Sequence, residues 1–175
     1  MLTAAQVIEA LKLRPLPAEG GYFAETYRTE LEIPAATLPV SCGGSGNAQR
    51  SLATAIFYLL TPDTFSALHR LRADELYHFY LGDPVELLEL RPDGSEKTVI
   101  LGQDIAAGMR LQHLVRAGIW QGSRLVAGGK WALLGTTMSP GFDFADFELG
   151  ERGPLTTRYP RDSHLIAALT RDVSA

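Results

Sequence analysis

An all-β sandwich or barrel with short helices at its N- and C-terminal ends is the fold class this sequence predicts. Three observations predict it. From residue 51 onward, short runs of apolar and β-branched residues recur, separated by turns rich in Gly, Pro and Asp. No alternation of strand-like and helix-like segments marks a doubly wound sheet. The helical patterns stand only at the two ends of the chain. With 175 residues there is length for one buried core and too little for two, so a single domain over residues 1–175 is expected.

The elements follow in order. Thr3 and Gln6 have the spacing of a capping box, and Val7, Ile8 and Leu11 continue it at helical period, until Pro15 and Pro17 stop the helix. After Gly20-Gly21, residues 22–33 are rich in aromatic and β-branched types and predict one strand. Residues 34–47 form a loop dense in Gly and Pro. Residues 54–60 are continuously apolar, and Pro62-Asp63 turns. Strands follow over 66–71 and 75–81, and Asp83-Pro84 turns again. Residues 85–91 and 97–101 flank Pro92-Asp93-Gly94-Ser95, a strong hairpin signal. Strands over 111–115, 119–126 and 130–138 complete the series before Pro140-Gly141 breaks it. Leu165, Ile166 and Leu169 form the apolar stripe of a last helix over 163–170, capped by Asp162 or Ser163.

Bulk properties exclude some functions. The net charge is −4 and no basic run appears, which argues against a nucleic-acid polymer as partner. No apolar run is long enough to cross a bilayer, and the N-terminus lacks the basic-then-apolar pattern of a secretion signal, so a cytoplasmic protein is expected. Cys42 is the sole cysteine, so no intrachain disulfide and no thiolate metal cluster can form.

The chemistry concentrates in residues 65–82. This segment holds two of the four histidines, His69 and His78, together with Asp74 and Glu75. Imidazole and carboxylate are the side chains that move protons or bind divalent metals near neutral pH. Glu75 and His78 are three apart, so a regular strand puts them on opposite faces unless a bulge intervenes. Bland readings stand beside the sharp ones. Trp120, Phe142 and Phe144 serve a core as well as a ligand platform. Gln112 and Gln121 satisfy buried backbone groups as readily as ligands. Glu19 and Glu25 read equally as charges on a solvated strand face, and Arg28 and Arg50 either as anion binders or as solvated arginines. His113 and His164 read as ordinary surface or interface residues.

His69, Glu75 and Gly82 stand in the register of the first cupin motif, and the segment resembles it. Leu71 takes the place of that motif's second histidine, and its early glycine is missing. Arg116-Ala117-Gly118-Ile119-Trp120-Gln121 is similar to the second motif, with Gln121 where the motif has histidine. A longer resemblance covers most of the chain. Leu16-Pro17, Glu19 to Arg28, the His69 segment, Ala117 to Gln121 and Pro140 to Glu148 together resemble one uncharacterised cupin family, whose jelly roll is similar to that of the dTDP-sugar epimerases.

The resemblance implies a cupin-type double-stranded β-helix, a jelly-roll barrel or sandwich, with a small polar ligand inside it. Gly21-Tyr22-Phe23-Ala24-Glu25 is similar to an epimerase stretch, with Gly20 in place of its arginine. Carried over, His69 is a metal-independent general base backed by Glu75, with His78 counted in the same polar cluster. The epimerases also use a tyrosine acid, and Tyr77 and Tyr80 are candidates by proximity. Ser66, Tyr77, Gln112, Trp120 and Gln121 are expected to bind ligand, and Tyr22, Glu25 and Arg28 to stand at the rim or reach a neighbouring subunit. His69, Glu75 and Gln121 are the ligand set should a divalent metal be bound, a thin one because a neutral amide is a weak donor. A homodimer is implied. Three functions stay open: an epimerase- or isomerase-like enzyme acting on a sugar nucleotide, a metal-dependent cupin enzyme, and a small-molecule binding protein without turnover.

Overall fold

The structure is a computed structural model that describes residues 2–39 and 49–171. Cys42 and the greater part of the Gly/Pro loop lie outside the described residues. The first helix, α1 (Ala4–Ala10), forms as its capping box dictates: Thr3 Oγ1 accepts from Gln6 N, and Gln6 Oε1 accepts from Thr3 N. It ends well before the prolines, where Lys12 takes a left-handed φ of 53°. Strands β1 (Arg14–Pro15), β2 (Tyr22–Arg28), β3 (Glu32–Pro34), β4 (Gln49–Ser51) and β5 (Thr54–Leu60) follow. Then come β6 (Ser66–Arg70), β7 (Glu75–Gly82), β8 (Val85–Leu90), β9 (Glu96–Leu101), β10 (Gln112–Val115), β11 (Trp120–Leu125), β12 (Ala132–Met138) and β13 (Glu148–Leu149). Two short helices, α2 (Arg152–Arg158) and α3 (Ser163–Ala168), close the described chain.

The expected single strand over 22–33 is two strands. Backbone pairing of β2 with β5 stops at Arg28, the chain bends, and β3 pairs with β4 in a separate two-stranded ribbon. Helix α2 has no counterpart in the sequence reading. Gly153 and Pro154 look like breakers, but they sit in its first turn, where proline's missing N–H has no helical partner to lose.

Two antiparallel sheets make the body, in the orders β1-β2-β5-β12-β7-β10 and β13-β6-β11-β8-β9. Tyr58, Leu60, Tyr77, Leu87, Leu101 and Leu134 meet between them as a buried core. Each large apolar side chain buried this way contributes roughly 1.5–3 kcal/mol. The outer faces are covered at both ends of the chain. Helix α1 seals Leu59 and Leu133, and α2 with α3 seals Leu68, Leu88 and Leu90. Among the described residues no helix is long and apolar enough to cross a membrane.

The predicted hairpin forms as expected. Asp93 Oδ1 accepts from Ser95 N at 2.9 Å, Gly94 has φ 85°, and β8 pairs with β9 from Val85↔Leu101 to Leu90↔Glu96. Inside the sandwich sits a hydrogen bond that the sequence concealed. Strand alternation turns His113 inward, where its Nε2 bonds Glu89, so it is no surface residue. Burial by itself would lift the Glu89 carboxyl; hydrogen bonds from His113 and from Arg91 outweigh it and hold Glu89 below the usual carboxylate range.

The motif glycine Gly82 also has a backbone reason. Its φ is 97°, and a Cβ there would lie 2.3 Å from the Trp131 carbonyl oxygen. Gly82→Ala is expected to destabilise the fold by about 1–3 kcal/mol from the backbone conformation alone, with the clash added. Urea unfolding checks this; an unshifted midpoint would remove the argument.

Candidate functional site

A cavity of about 360 Å³ opens between the two sheets at the end where β6 and β7 meet the loop after β12. That volume lies in the range of small-molecule pockets. Alternation along the strands decides what lines it. On β5 and β12, Thr54, Ile56, Thr136 and Met138 face in. On β7 the inward residues are Glu75 and, deeper in the core, Tyr77. Leu71, which replaces a motif histidine, is part of the wall.

His69 is 1% exposed. Its Nδ1 lies 2.8 Å from the Ala67 carbonyl oxygen, which only accepts, so Nδ1 carries the hydrogen and donates. In the neutral ring the lone pair is thereby left on Nε2. Gln121 stands directly across from His69 on β11 and donates from its Nε2 to His69 Nε2 at 3.4 Å and to Glu75 Oε2 at 2.7 Å. The Phe147 ring stacks on the imidazole at 5.1 Å. Burial raises the Glu75 carboxyl; the nearby His69 opposes this and the Glu19 charge adds to it, leaving Glu75 above the usual range. The Tyr77 hydroxyl is pushed well up by burial and then by the Glu75 charge, so it stays protonated.

Glu75 therefore strains the fold at neutral pH. An acid whose native pKa exceeds its unfolded value of about 4.5 contributes stability in full below that value, and the contribution fades as pH rises through the native pKa. Glu75→Gln removes this titration. It is expected to be more stable than the parent at pH 8 and to show a flatter stability profile between pH 5 and 8. Denaturant midpoints across that range test it; parallel profiles for the two proteins would count against it.

Of the residues expected here, His69, Glu75 and Gln121 come together, and Glu25 and Arg28 join them at the rim. Glu25 and Arg28 are three apart, yet both face the cavity because the register of β2 on β5 shifts between Glu25 and Tyr27. They pair there at 2.7 Å, and Arg28 also donates to the Phe142 carbonyl. Ser66 does not line the cavity; its Oγ donates to Glu19 Oε1 at 2.7 Å and fixes that side chain.

Five expected residues stand elsewhere. His78 lies on the outer face of β7, accepting from Gln112 Nε2 at 2.9 Å and donating to Thr137 Oγ1 at 3.0 Å. The β7 register shift falls after Phe79, too late to turn His78 inward. Burial lowers the His78 imidazole below its ordinary value. Gln112 is its exposed cross-strand partner. Tyr22 packs under α1, and Trp120 packs toward the C-terminal helices with Arg70 4.7 Å over its ring. Tyr80, a proximity candidate for the acid, also lies outside, stacked beside His78.

The sequence reading missed Arg14, Phe23 and Phe147, and named Glu19, Phe142 and Phe144 without placing them in the site. Glu19, read as a possible solvated charge, is held over the cavity by the Gly20-Gly21 turn. Those glycines have φ of 103° and 69°, and a Cβ at either would strike the Phe65 carbonyl or the Tyr58 ring. That glycine pair was the available signal.

The donor set does not fit a metal. Among the described residues no group of three His, Cys, Asp or Glu converges. Gln121 turns its nitrogen, not its oxygen, toward the ionisable pair, as a carboxylate neighbour requires.

Comparison with known proteins agrees with this architecture. A family model described as cupin superfamily (DUF985) matches residues 5–150. The uncharacterized protein YML079W of Saccharomyces cerevisiae is 33% identical over 134 residues, 73% of this chain. The alignment takes in 66% of the yeast protein, so the chain spans just under two thirds of that relative's length. The crystal structure of protein SO0799 from Shewanella oneidensis matches 98% of this chain and 99% of its own at 34% identity, with a TM-score of 0.83. A hypothetical protein from Leishmania major matches 98% of this chain and 100% of its own at 30% identity and TM-score 0.85. Oxalate decarboxylase from Bacillus subtilis shares the fold alone: 13% identity and TM-score 0.51, over 90% of this chain and 37% of the enzyme chain.

Proposed function

We propose, for a chain that belongs to the DUF985 family of the cupin superfamily, that the cavity binds one small polar molecule and that His69 moves a proton on it, as in an epimerase or isomerase. One observation carries this reading. The Ala67 carbonyl holds the hydrogen on His69 Nδ1 and so leaves a basic Nε2 beside Glu75, in a sheltered cavity. His69 takes a proton from a carbon next to a carbonyl and returns it, with Glu75 orienting the imidazole through its charge.

The test is uptake of solvent deuterium into a panel of keto-sugars and sugar nucleotides, followed by NMR. Exchange into one member supports the reading; no exchange into any removes it. A second reading, binding without turnover, draws support from the absence of any tyrosine among the described cavity-lining residues, where an epimerase-like acid is expected. Saturable thermal stabilisation by a panel member without exchange would favour it.

A homodimer is part of the proposal. Leu111 and Leu114 are 47% and 38% exposed at the free edge of the six-stranded sheet, beside Tyr80 on its outer face. Light scattering is expected to return twice the chain mass; a monomer at micromolar concentration would exclude it.

A further inference from the structure

We propose that the ligand of the cavity is a small, phosphate-free ketone built on a flat apolar ring, with Phe144 covering that ring at the mouth. That the cavity is the ligand site is taken from the reading above; the class of ligand is new, with its polarity confined to the carbonyl end.

Size comes first. At roughly 30 Å³ for each water-sized group, a space of about 360 Å³ holds about a dozen of them. A six-membered ring with a short side chain fills it, and a sugar joined to a nucleoside diphosphate is far larger. The excess would lie at the rim. There Arg28 is chelated by Glu25 through two hydrogen bonds, and Arg14 is stacked over the Phe23 ring at 4.9 Å. Glu19 and Asp143 line the same cavity with no ion pair to arginine or lysine among the described residues. Their charge opposes a phosphate.

The chemistry of the wall comes second. Phe23, Phe142, Phe144 and Phe147, with Ile56 and Met138, present apolar surface to the space. The hydroxyls and carboxylates between them are already engaged within the protein. Glu25 holds Arg28, Ser66 donates to Glu19, and Gln121 and Thr136 donate to Glu75. Thr54 Oγ1 accepts from Phe142 N, and Asp143 Oδ1 accepts from Ala145 N. A polyol buried here gives up its hydration for few new donors, whereas an apolar ring has little hydration to lose.

Phe144 is the third observation, and it is independent of the other two. Its ring is 66% exposed, yet its loop is pinned, because Asp146 pairs with buried Arg50 and Phe142 meets Phe144 edge-on with ring centres 5.0 Å apart. A large aromatic ring held in water at the mouth of a cavity gains free energy when an apolar ligand covers it.

The experiment compares β-tetralone and phenylacetone, which carry a flat apolar ring, with D-fructose, a polyhydroxy ketone of similar size, and with dTDP-glucose. Thermal shift and calorimetric titration at pH 7 are run on the parent protein and on Phe144→Ala. At least one aryl ketone is expected to bind saturably, and D-fructose and dTDP-glucose at least tenfold more weakly. In Phe144→Ala the affinity for that ketone is expected to fall about three- to tenfold, the order of one aromatic contact. No binding of either aryl ketone, equal or tighter binding of D-fructose or dTDP-glucose, or undiminished affinity in Phe144→Ala overturns the proposal. The comparison of probes on the parent protein keeps the test decisive if Phe144→Ala fails to fold. Deuterium exchange into a keto-sugar or sugar nucleotide, with no binding of an aryl ketone, defeats this inference and leaves the proton-transfer reading standing. Aryl ketone binding with no exchange anywhere does the reverse.

Discussion

Asp146→Ala is expected to lower the free energy of unfolding by about 3–5 kcal/mol, the cost of breaking a buried ion pair from one side. Arg50 on β4 and Asp146 are 6% and 5% exposed and bond one another, and Arg50 also donates to the Gly141 carbonyl at 3.2 Å. Removing the carboxylate leaves the guanidinium buried with one backbone acceptor. The same contact ties down the loop that brings Phe142 and Phe147 to the cavity, and Phe147 is the ring stacked on His69. The damage therefore reaches the site as well as the fold. Replacing both partners by apolar residues of similar volume is expected to cost far less than the single change, because no charge is stranded. Urea unfolding of the single and double variants checks this. A single variant within 1 kcal/mol of the parent would mean the pair is worth no more than a surface bridge.

His69→Asn is expected to slow substrate deuterium exchange by about 10²–10⁴-fold, the usual contribution of a positioned general base. Asparagine retains an N–H able to reach the Ala67 carbonyl but has no basic nitrogen to present to the cavity. The fold is expected to survive, since one half of the Gln121 bridge, the bond to Glu75, does not depend on the imidazole. His78→Asn supplies the contrast. Its partners Gln112 and Thr137 lie on the outer face of the sheet, so exchange is expected to continue at the parent rate. Equal loss in both variants, or in neither, would contradict the assignment. Near-UV circular dichroism separates loss of chemistry from loss of structure.

Much of this was legible in the residues. The hairpin at Asp93-Gly94, the Thr3 capping box and the strand series announced the sheets, because each rests on local backbone chemistry. The pairing of His69 with Glu75 and Gln121 was legible through motif spacing. The inward turn of His113 onto Glu89 was not, since that contact joins residues 24 apart on two facing sheets. His78 misled because clustering along the chain was weighed above alternation across the strand, and alternation decided. Glu19 stayed hidden because two left-handed glycines, and no periodic pattern, swing it over the cavity.

The register shift in β2 has a wider reach than the ion pair it permits. It resets the phase of the strand, so that Phe23 and Glu25 before it and Arg28 after it all look the same way. Regular alternation through Thr26 would instead turn Arg28 out to bulk water and carry Tyr27 inward in its place, without altering any other residue that lines the cavity. The entrance and the interior of the barrel are thus free to diverge independently among relatives, the one by a change of strand register, the other by substitution.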